Sequence, residues 1–188
     1  MSESVWFEEV DTALINYIKS IVKIPNRQGE LASVPVEVRK PDNDFKIEQY
    51  PSITIYNLYS RYNSFRQGNS DTIKGYDVDK AKILVEKSAV PYDLYYQIDF
   101  WSKNITDMNK MTCAWLSKIS RCFNLDVADS GGANRNVFII RTDALKKNDY
   151  ISGNNRVFHS FITYKIQVEL DENIIIEKPM VTDVDIHY

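Results

Sequence analysis

The sequence predicts an α/β protein of the α+β type: a mostly antiparallel β-sheet with two α-helices packed on one face, in a single domain. Three observations lead there. Two segments repeat their apolar residues near the helical period, and several others alternate with the period of a strand. The elements run helix, strands, helix, strands. Few of the strands are separated by the helix-length crossover that a parallel pair needs, so hairpin pairing should dominate. The chain of 188 residues, 44% hydrophobic and 26% charged, is long enough for one domain with a real core, hiding roughly 70% of its unfolded surface. That composition excludes disorder as the default.

The first element is an amphipathic helix over Ser4–Val22. Trp6, Val10, Leu14, Tyr17, Ile18, Ile21 and Val22 recur near the helical period. Ser4 is the candidate N-cap, Glu8 and Glu9 favour the positive helix end, and Pro25 stops it. After a loop over Asn26–Ser33, Val34–Val38 alternates, with Pro35 marking an edge strand or a strand start. Pro41–Asp44 reads as a turn, and Pro51–Tyr59 as a strand around Ile53 and Ile55. Arg61–Lys80 is polar and aperiodic, with two glycines; it reads as a long loop or arm.

Ala81–Ala89 and Tyr92–Trp101 read as two strands broken at Pro91. The second puts Tyr92, Leu94, Tyr96, Ile98 and Phe100 on one face and Asp93, Tyr95, Gln97, Asp99 and Trp101 on the other. The second helix spans Thr106–Phe123, capped by Thr106, with Met108, Met111, Thr112, Trp115, Leu116, Ile119 and Phe123 as its apolar stripe. Asn124–Arg135 is a loop around Ser130-Gly131-Gly132; Asn136–Thr142 is a strand; Asp143–Asn155 is a polar connection. Phe158–Leu170 is the longest strand. Asp171–Asn173 turns into the apolar Ile174–Ile176, and the polar tail from about residue 171 onward reads as an extended arm. No internal repeat is visible.

The net charge of −3 argues against sequence-independent nucleic-acid binding, which needs a cationic surface. An acidic wall instead suits a channel through which DNA slides without sticking. Cys113 and Cys122 fall on one predicted helix, roughly 13 Å apart at the helical rise. A disulfide needs less than about 7 Å, so both are expected to be reduced core or boundary thiols, as in a reducing compartment. The acidic start is not a signal peptide, and no apolar run reaches the 18 or so residues of a membrane span.

No catalytic centre, cofactor site or metal site is legible. Of the two histidines, His159 lies on the predicted outer face of a strand and His187 is penultimate; neither has a Cys or carboxylate partner at ligand spacing. Ser130-Gly131-Gly132-Ala133 lacks the lysine and spacing of a phosphate loop and the pattern of a dinucleotide site. No Gly-x-Ser-x-Gly elbow occurs. Asp77/Asp79 and Asp183/Asp185 each place two carboxylates on one side of an extended chain, the sole support for a metal-dependent nuclease. Arg61, Arg66 and Lys74 with the interleaved Tyr59, Tyr62, Phe65 and Tyr76 form a mildly basic aromatic patch, diluted by Asp71, Asp77 and Asp79, that suits protein contact better than nucleic acid. Arg61, Tyr62, Phe65, Arg66 and Tyr76 of this patch, with Tyr95, Trp101 and Phe161 on the outer strand faces, are the candidate interface residues. The competing possibility for the last three is a second helix layer covering that face.

One family shares this arrangement. The N-terminal helix VWFEEVDTALINYIKSIV, the strand PSITIYNLY and the Tyr-rich strand running into a helix (PYDLYYQIDFWSKNITDMNKMTCAWLSKI), followed by a late long strand, resemble the tail terminator or tail completion proteins of tailed bacteriophages. Phe100-Trp101-Ser102 and Asp107 sit where that family runs its strand into the second helix. The resemblance covers about Val5 to Leu170 and rests on apolar patterns, with no catalytic residue to carry over. It implies a structural virion protein of the tail or neck, assembled in the host cytoplasm, forming a hexameric ring that closes the head-proximal end of the tail tube. Such a ring would end tube polymerisation, dock the head connector, touch tube and sheath, and let DNA pass without specific binding. It implies no enzyme activity, no cofactor and no membrane. The alternatives are another phage neck or baseplate component, a metal-dependent nuclease, or a small binding module.

Overall fold

The computed structural model describes residues 3–26, 28–39, 47, 49–67, 72–77, 82–86, 89–119, 121–128, 134–152, 155–170 and 175–179. In chain order the elements are α1 (Glu3–Ile21), β1 (Lys23–Pro25), β2 (Leu31–Ser33), β3 (Val36–Val38), β4 (Ser52–Tyr62), a 3-10 turn (Ser64–Arg66), β5 (Thr72–Asp77) and β6 (Lys82–Glu86). They continue with β7 (Val90–Ser102), α2 (Ile105–Lys118), β8 (Cys122–Ala128), β9 (Asn134–Arg141), β10 (Lys146–Lys147), β11 (Tyr150–Ser152), β12 (Asn155–Leu170) and β13 (Ile175–Pro179). The chain divides into two compact units. The larger holds residues 2–61 and 93–168; the described residues of the smaller come from 62–92 and 169–179.

The larger unit is built on one sheet in the order β3-β4-β7-β12-β9-β8, with β10 and β11 also pairing β12. β9 runs antiparallel to β12, Tyr164 opposite Arg141, and β8 antiparallel to β9, Leu125 opposite Val137. Side chains give the remaining directions. Thr54 meets Trp101 and Tyr59 meets Tyr95, so β4 and β7 run in opposite senses. Asp99 meets His159 and Asp93 meets Lys165, so β7 and β12 do too. The expected mostly antiparallel sheet is therefore present. The departure is β3, which lies parallel to β4 with Val36 opposite Ile53 and Val38 opposite Ile55.

Both helices lie on one face, as the periodicity requires. Leu94, Tyr96, Ile98 and Phe100 of β7 and Ile162, Tyr164, Ile166 and Val168 of β12 are all buried. Above them sit Val10, Leu14 and Ile18 of α1 and Met108, Met111 and Trp115 of α2. Trp115 packs edge-on against Phe100, with ring centroids 5.9 Å apart, and its Nε1 donates to Tyr164 Oη at 2.8 Å. That bond lets two large aromatic rings bury fully without leaving a polar tip unpaired. Tyr17 of α1 stacks on Phe123 at 5.1 Å, and Phe123 meets Tyr164 edge-on at 6.1 Å.

Several boundaries differ from the sequence reading. α1 begins at Glu3, so Ser4 lies within it rather than capping it. The cap of α2 is Asn104, whose Oδ1 accepts from Thr106 N at 2.9 Å, rather than Thr106 itself. α2 ends at Lys118, and Cys122–Ala128 forms a strand where the sequence suggested the helix end and a loop. Phe123 fits both patterns, closing the helical stripe and opening the alternation Phe123, Leu125, Val127. The cysteines therefore sit on different elements, and both are exposed where core or boundary thiols were expected. The connection over 143–155 contributes two short strands to β12.

The smaller unit holds a three-stranded antiparallel sheet in the order β13-β6-β5. The stretch read as a loop or arm over 61–80 thus contains β5, and the tail read as an arm contains β13. The register of β5 shifts between Ile73 and Gly75. Such a shift breaks the alternation that marks a strand, which hides β5 in the sequence. Ile73 faces across to Val85 and Tyr76 to Ile83, yet only Val85 is buried; Ile73 is 52% exposed and Tyr76 62%. The expected turn at Pro41–Asp44, the loop at Ser130–Ala133, Asp79, and Asp183, Asp185 and His187 lie outside the described residues.

Candidate interaction surface

The face of the main sheet opposite the helices carries the alternate residues of each strand. On β7 these are Asp93, Tyr95, Gln97, Asp99 and Trp101; on β12 they are His159, Phe161, Thr163, Lys165 and Gln167. Across β9, Phe138 stands opposite Gln167 and Ile140 opposite Lys165. This face is not uniform.

One end is closed. Trp101, expected from the sequence as an exposed anchor, is 7% exposed. Its indole lies flat on the His159 ring, centroids 3.8 Å apart and planes 2° from parallel, and its Nε1 donates to Thr54 Oγ1 at 3.0 Å. Tyr150 meets it edge-on at 6.4 Å. The layer that covers Trp101 is therefore the segment after β9, not a helix. Asp149 Oδ1 accepts from the His159 backbone N–H at 3.1 Å and Asp149 Oδ2 pairs with Arg156 at 3.2 Å, which pins that segment to β12.

Beneath lies a polar pair that the sequence reading missed. His159 Nε2 is 2.7 Å from Asp99 Oδ1, which also accepts from Gln97 Nε2 at 2.8 Å. Asp99 is fully buried, and its Oδ2 has no hydrogen-bond partner. The two residues lie sixty apart in the chain, so no local spacing could reveal them; the signal was only that both fall on the outer parity of neighbouring strands. A histidine held by a carboxylate is half of a catalytic arrangement. Here it is sealed beneath Trp101, which leaves no room for a substrate. Among the described residues, no group of His, Cys, Asp and Glu is placed to hold a metal ion.

The rest of the face is less closed, although Asp93 on it is buried. Tyr95, half-buried, stacks on Tyr59 at 4.4 Å, and Tyr59 is 54% exposed. Phe161 is half-buried, with Lys146 Nζ 6.0 Å from its ring centroid. Phe138 is 40% exposed. Asp93 and Lys165 pair at 3.5 Å between them. Arg61 is exposed near the end of β4.

In the smaller unit, the remaining candidates sit around the 3-10 turn. Asn63 Oδ1 accepts from Phe65 N at 3.2 Å and sets that turn. It projects Phe65 wholly into solvent. Tyr62 packs edge-on against Tyr92 at 6.0 Å and donates to Gln67 Oε1 at 3.1 Å. Arg66 pairs with Glu169 at 3.9 Å. Tyr76 is exposed on β5. The candidate interface residues thus fall into two groups, one on each unit, with Trp101 removed from the set by burial.

No family model and no curated protein matches this sequence. Among solved structures, the chain is similar to a cryo-EM structure of the sheath/tube terminator of an extracellular contractile injection system, PVC, in its extended state. The TM-score is 0.47 and the identity 13%, covering 96% of this chain and 62% of the other. The chain therefore spans less than two thirds of that terminator's length. No helix among the described residues is long and apolar enough to cross a membrane.

Proposed function

We propose that this protein is a structural, non-enzymatic component of a phage tail, a terminator that caps the head-proximal end of the tail tube as a ring. The observation that carries this reading is the part of the outer sheet face that the Tyr150 segment leaves uncovered. Both helices pack on one side, and the other presents Tyr59, Tyr95, Phe138 and Phe161 around one ion pair. Aromatic anchors inside a polar surround are what a protein interface uses. The sequence resemblance to tail terminators supplies the kind of assembly. In a cyclic ring each contact joins two different patches, so a self-complementary surface is not required.

The larger unit is the terminator-like body in this reading, and the smaller unit, with Tyr62, Phe65, Arg66 and Tyr76, is an appendage for tube, sheath or connector. DNA passes through the lumen without specific binding. The protein belongs to the assembled virion.

Light scattering coupled to size exclusion, with and without tube protein, tests it. The expected result is a closed ring of about six copies, either alone or when tube protein is added. A strict monomer indifferent to tube protein overturns the reading.

A further inference from the structure

A groove of about 600 Å³ runs between α1 and β8 in the larger unit, within the roughly 300–1,000 Å³ range of ligand clefts. Its walls include Glu8, Ala13 and Tyr17 of the helix and Leu125, Asp126 and Ala128 of the strand. Leu125 points to the core and Asp126 and Ala128 to the other face. A groove that touches both faces of one strand runs along that strand's edge.

β8 ends the sheet, and among the described residues it pairs with β9 alone. Among the described residues no strand pairs with its other side, and from Asn124 to Ala128 that side borders the groove. Proteins usually blunt such an edge with brevity, proline, lysine or a bulge. β8 shows none of these four, although it carries the charged Asp126 and has α1 across the groove. It is seven residues long, reads Cys-Phe-Asn-Leu-Asp-Val-Ala, and holds an unbroken register with β9 from Cys122 to Ala128. The opposite end of the sheet shows the contrast: β3 is three residues long and follows Pro35.

Charge narrows the occupant. The lining carries Glu8, Glu9 and Asp126 and no Lys, Arg or His. We infer that the α1–β8 groove is a docking site for an extended, lysine- or arginine-bearing segment of another polypeptide, which adds to the sheet as a strand beside β8. Main-chain hydrogen bonds to the β8 edge hold the segment. Its apolar side chains meet Ala13, Tyr17 and Leu125, and its cations meet Glu8 and Asp126. A helix is a poorer fit, because its backbone groups are already paired within itself. The site stands on the groove and the edge, not on ring formation.

The test uses a fluorescent peptide of about ten residues alternating valine with lysine, read by anisotropy. Two controls share its length: one with glutamate for lysine, and one N-methylated on alternate amides so that charge stays and strand pairing goes. The lysine peptide is expected to bind and to protect the amides of Asn124, Asp126 and Ala128, which point away from β9, from hydrogen exchange. N-methylation is expected to weaken binding about tenfold or more, and the glutamate peptide to bind no better than background. Asp126→Lys combined with Glu8→Lys is expected to weaken the lysine peptide to a similar degree. Failure of the lysine peptide to bind overturns the proposal. So does equal binding by either control, or protection that maps away from β8. None of these outcomes bears on whether the ring forms.

Discussion

The two faces of the main sheet bury aromatic rings in different ways. On the helix side, Trp115, Tyr164, Phe100 and Tyr96 are covered by two helices; the Trp115–Tyr164 hydrogen bond pairs the polar tips of those two rings, while Tyr96 Oη has no hydrogen-bond partner. On the other side, Trp101 and His159 are covered by one short segment carrying Tyr150, and the buried polar groups below are satisfied only in part. Thick cover stabilises through a large buried apolar area. Thin cover supplies less of it, so an unpaired buried polar group weighs more there. The outer face is therefore sensitive at one end and free at the other.

The largest expected effect is on the helix side. Trp115→Ala removes a fully buried ring and the donor to Tyr164. It should cost about 3–5 kcal/mol, read as a lower midpoint in denaturant unfolding. A loss under about 1 kcal/mol would mean that the helices do not seal that face.

The second effect is on the thin side. Asp99→Ala leaves His159 Nε2 and Gln97 Nε2 without their shared acceptor. The cost should be about 1–3 kcal/mol. An unchanged midpoint would show that the pair is not sealed from water. Comparing the two losses under the same conditions measures how unequal the two covers are.

Much of this contrast was legible in the sequence, and the rest was hidden for identifiable reasons. The alternation from Tyr92 to Trp101 and along Phe158–Leu170 separates the two faces correctly, and the stripes of both helices mark the buried one. What the alternation cannot give is which cover lies on the second face. Trp101 shares its parity with Tyr95, yet one is sealed and the other is half-open, because Tyr150 reaches only the Trp101 end. β8 was masked by Phe123 serving two periods at once, and β5 by its register shift. The Asp99–His159 pair depends on the register between two distant strands, which no single-chain spacing encodes.

A third prediction concerns charge beneath α1. Burial raises the Asp11 carboxyl above its ordinary range; the Tyr96 hydroxyl partly offsets this, and the charge of Glu8 adds to it. Burial also raises the Tyr96 hydroxyl, with the Asp11 charge next in size. For a carboxyl whose folded pKa lies above its unfolded one, the associated stability is fully present below the unfolded pKa, about 3.9. It is lost as pH climbs through the folded pKa, because the folded state there must hold a desolvated charge. Asp11→Asn removes that charge. The variant should unfold at a higher denaturant concentration than the parent at neutral pH, and the difference should shrink as pH falls toward the unfolded pKa. A difference that stays constant with pH would show that Asp11 is solvated.

The smallest effect on the fold should come from the open end of the outer face, and there it separates stability from assembly. Phe138 is 40% exposed and stands between Asn124 and Gln167 on the neighbouring strands. A lysine at 138 keeps its stem on the sheet and its charge in water. Phe138→Lys should therefore change unfolding by no more than about 0.5 kcal/mol. If the uncovered face is where copies meet, the same change places a charge in a desolvated contact and should lower the mass measured by light scattering. A stable variant that assembles as the parent does would exclude this part of the face from the interface. A variant that loses both mass and stability would show that Phe138 belongs to the fold. Only loss of mass at constant stability fits an open face waiting for a neighbour, and that is the outcome the contrast between the two faces requires.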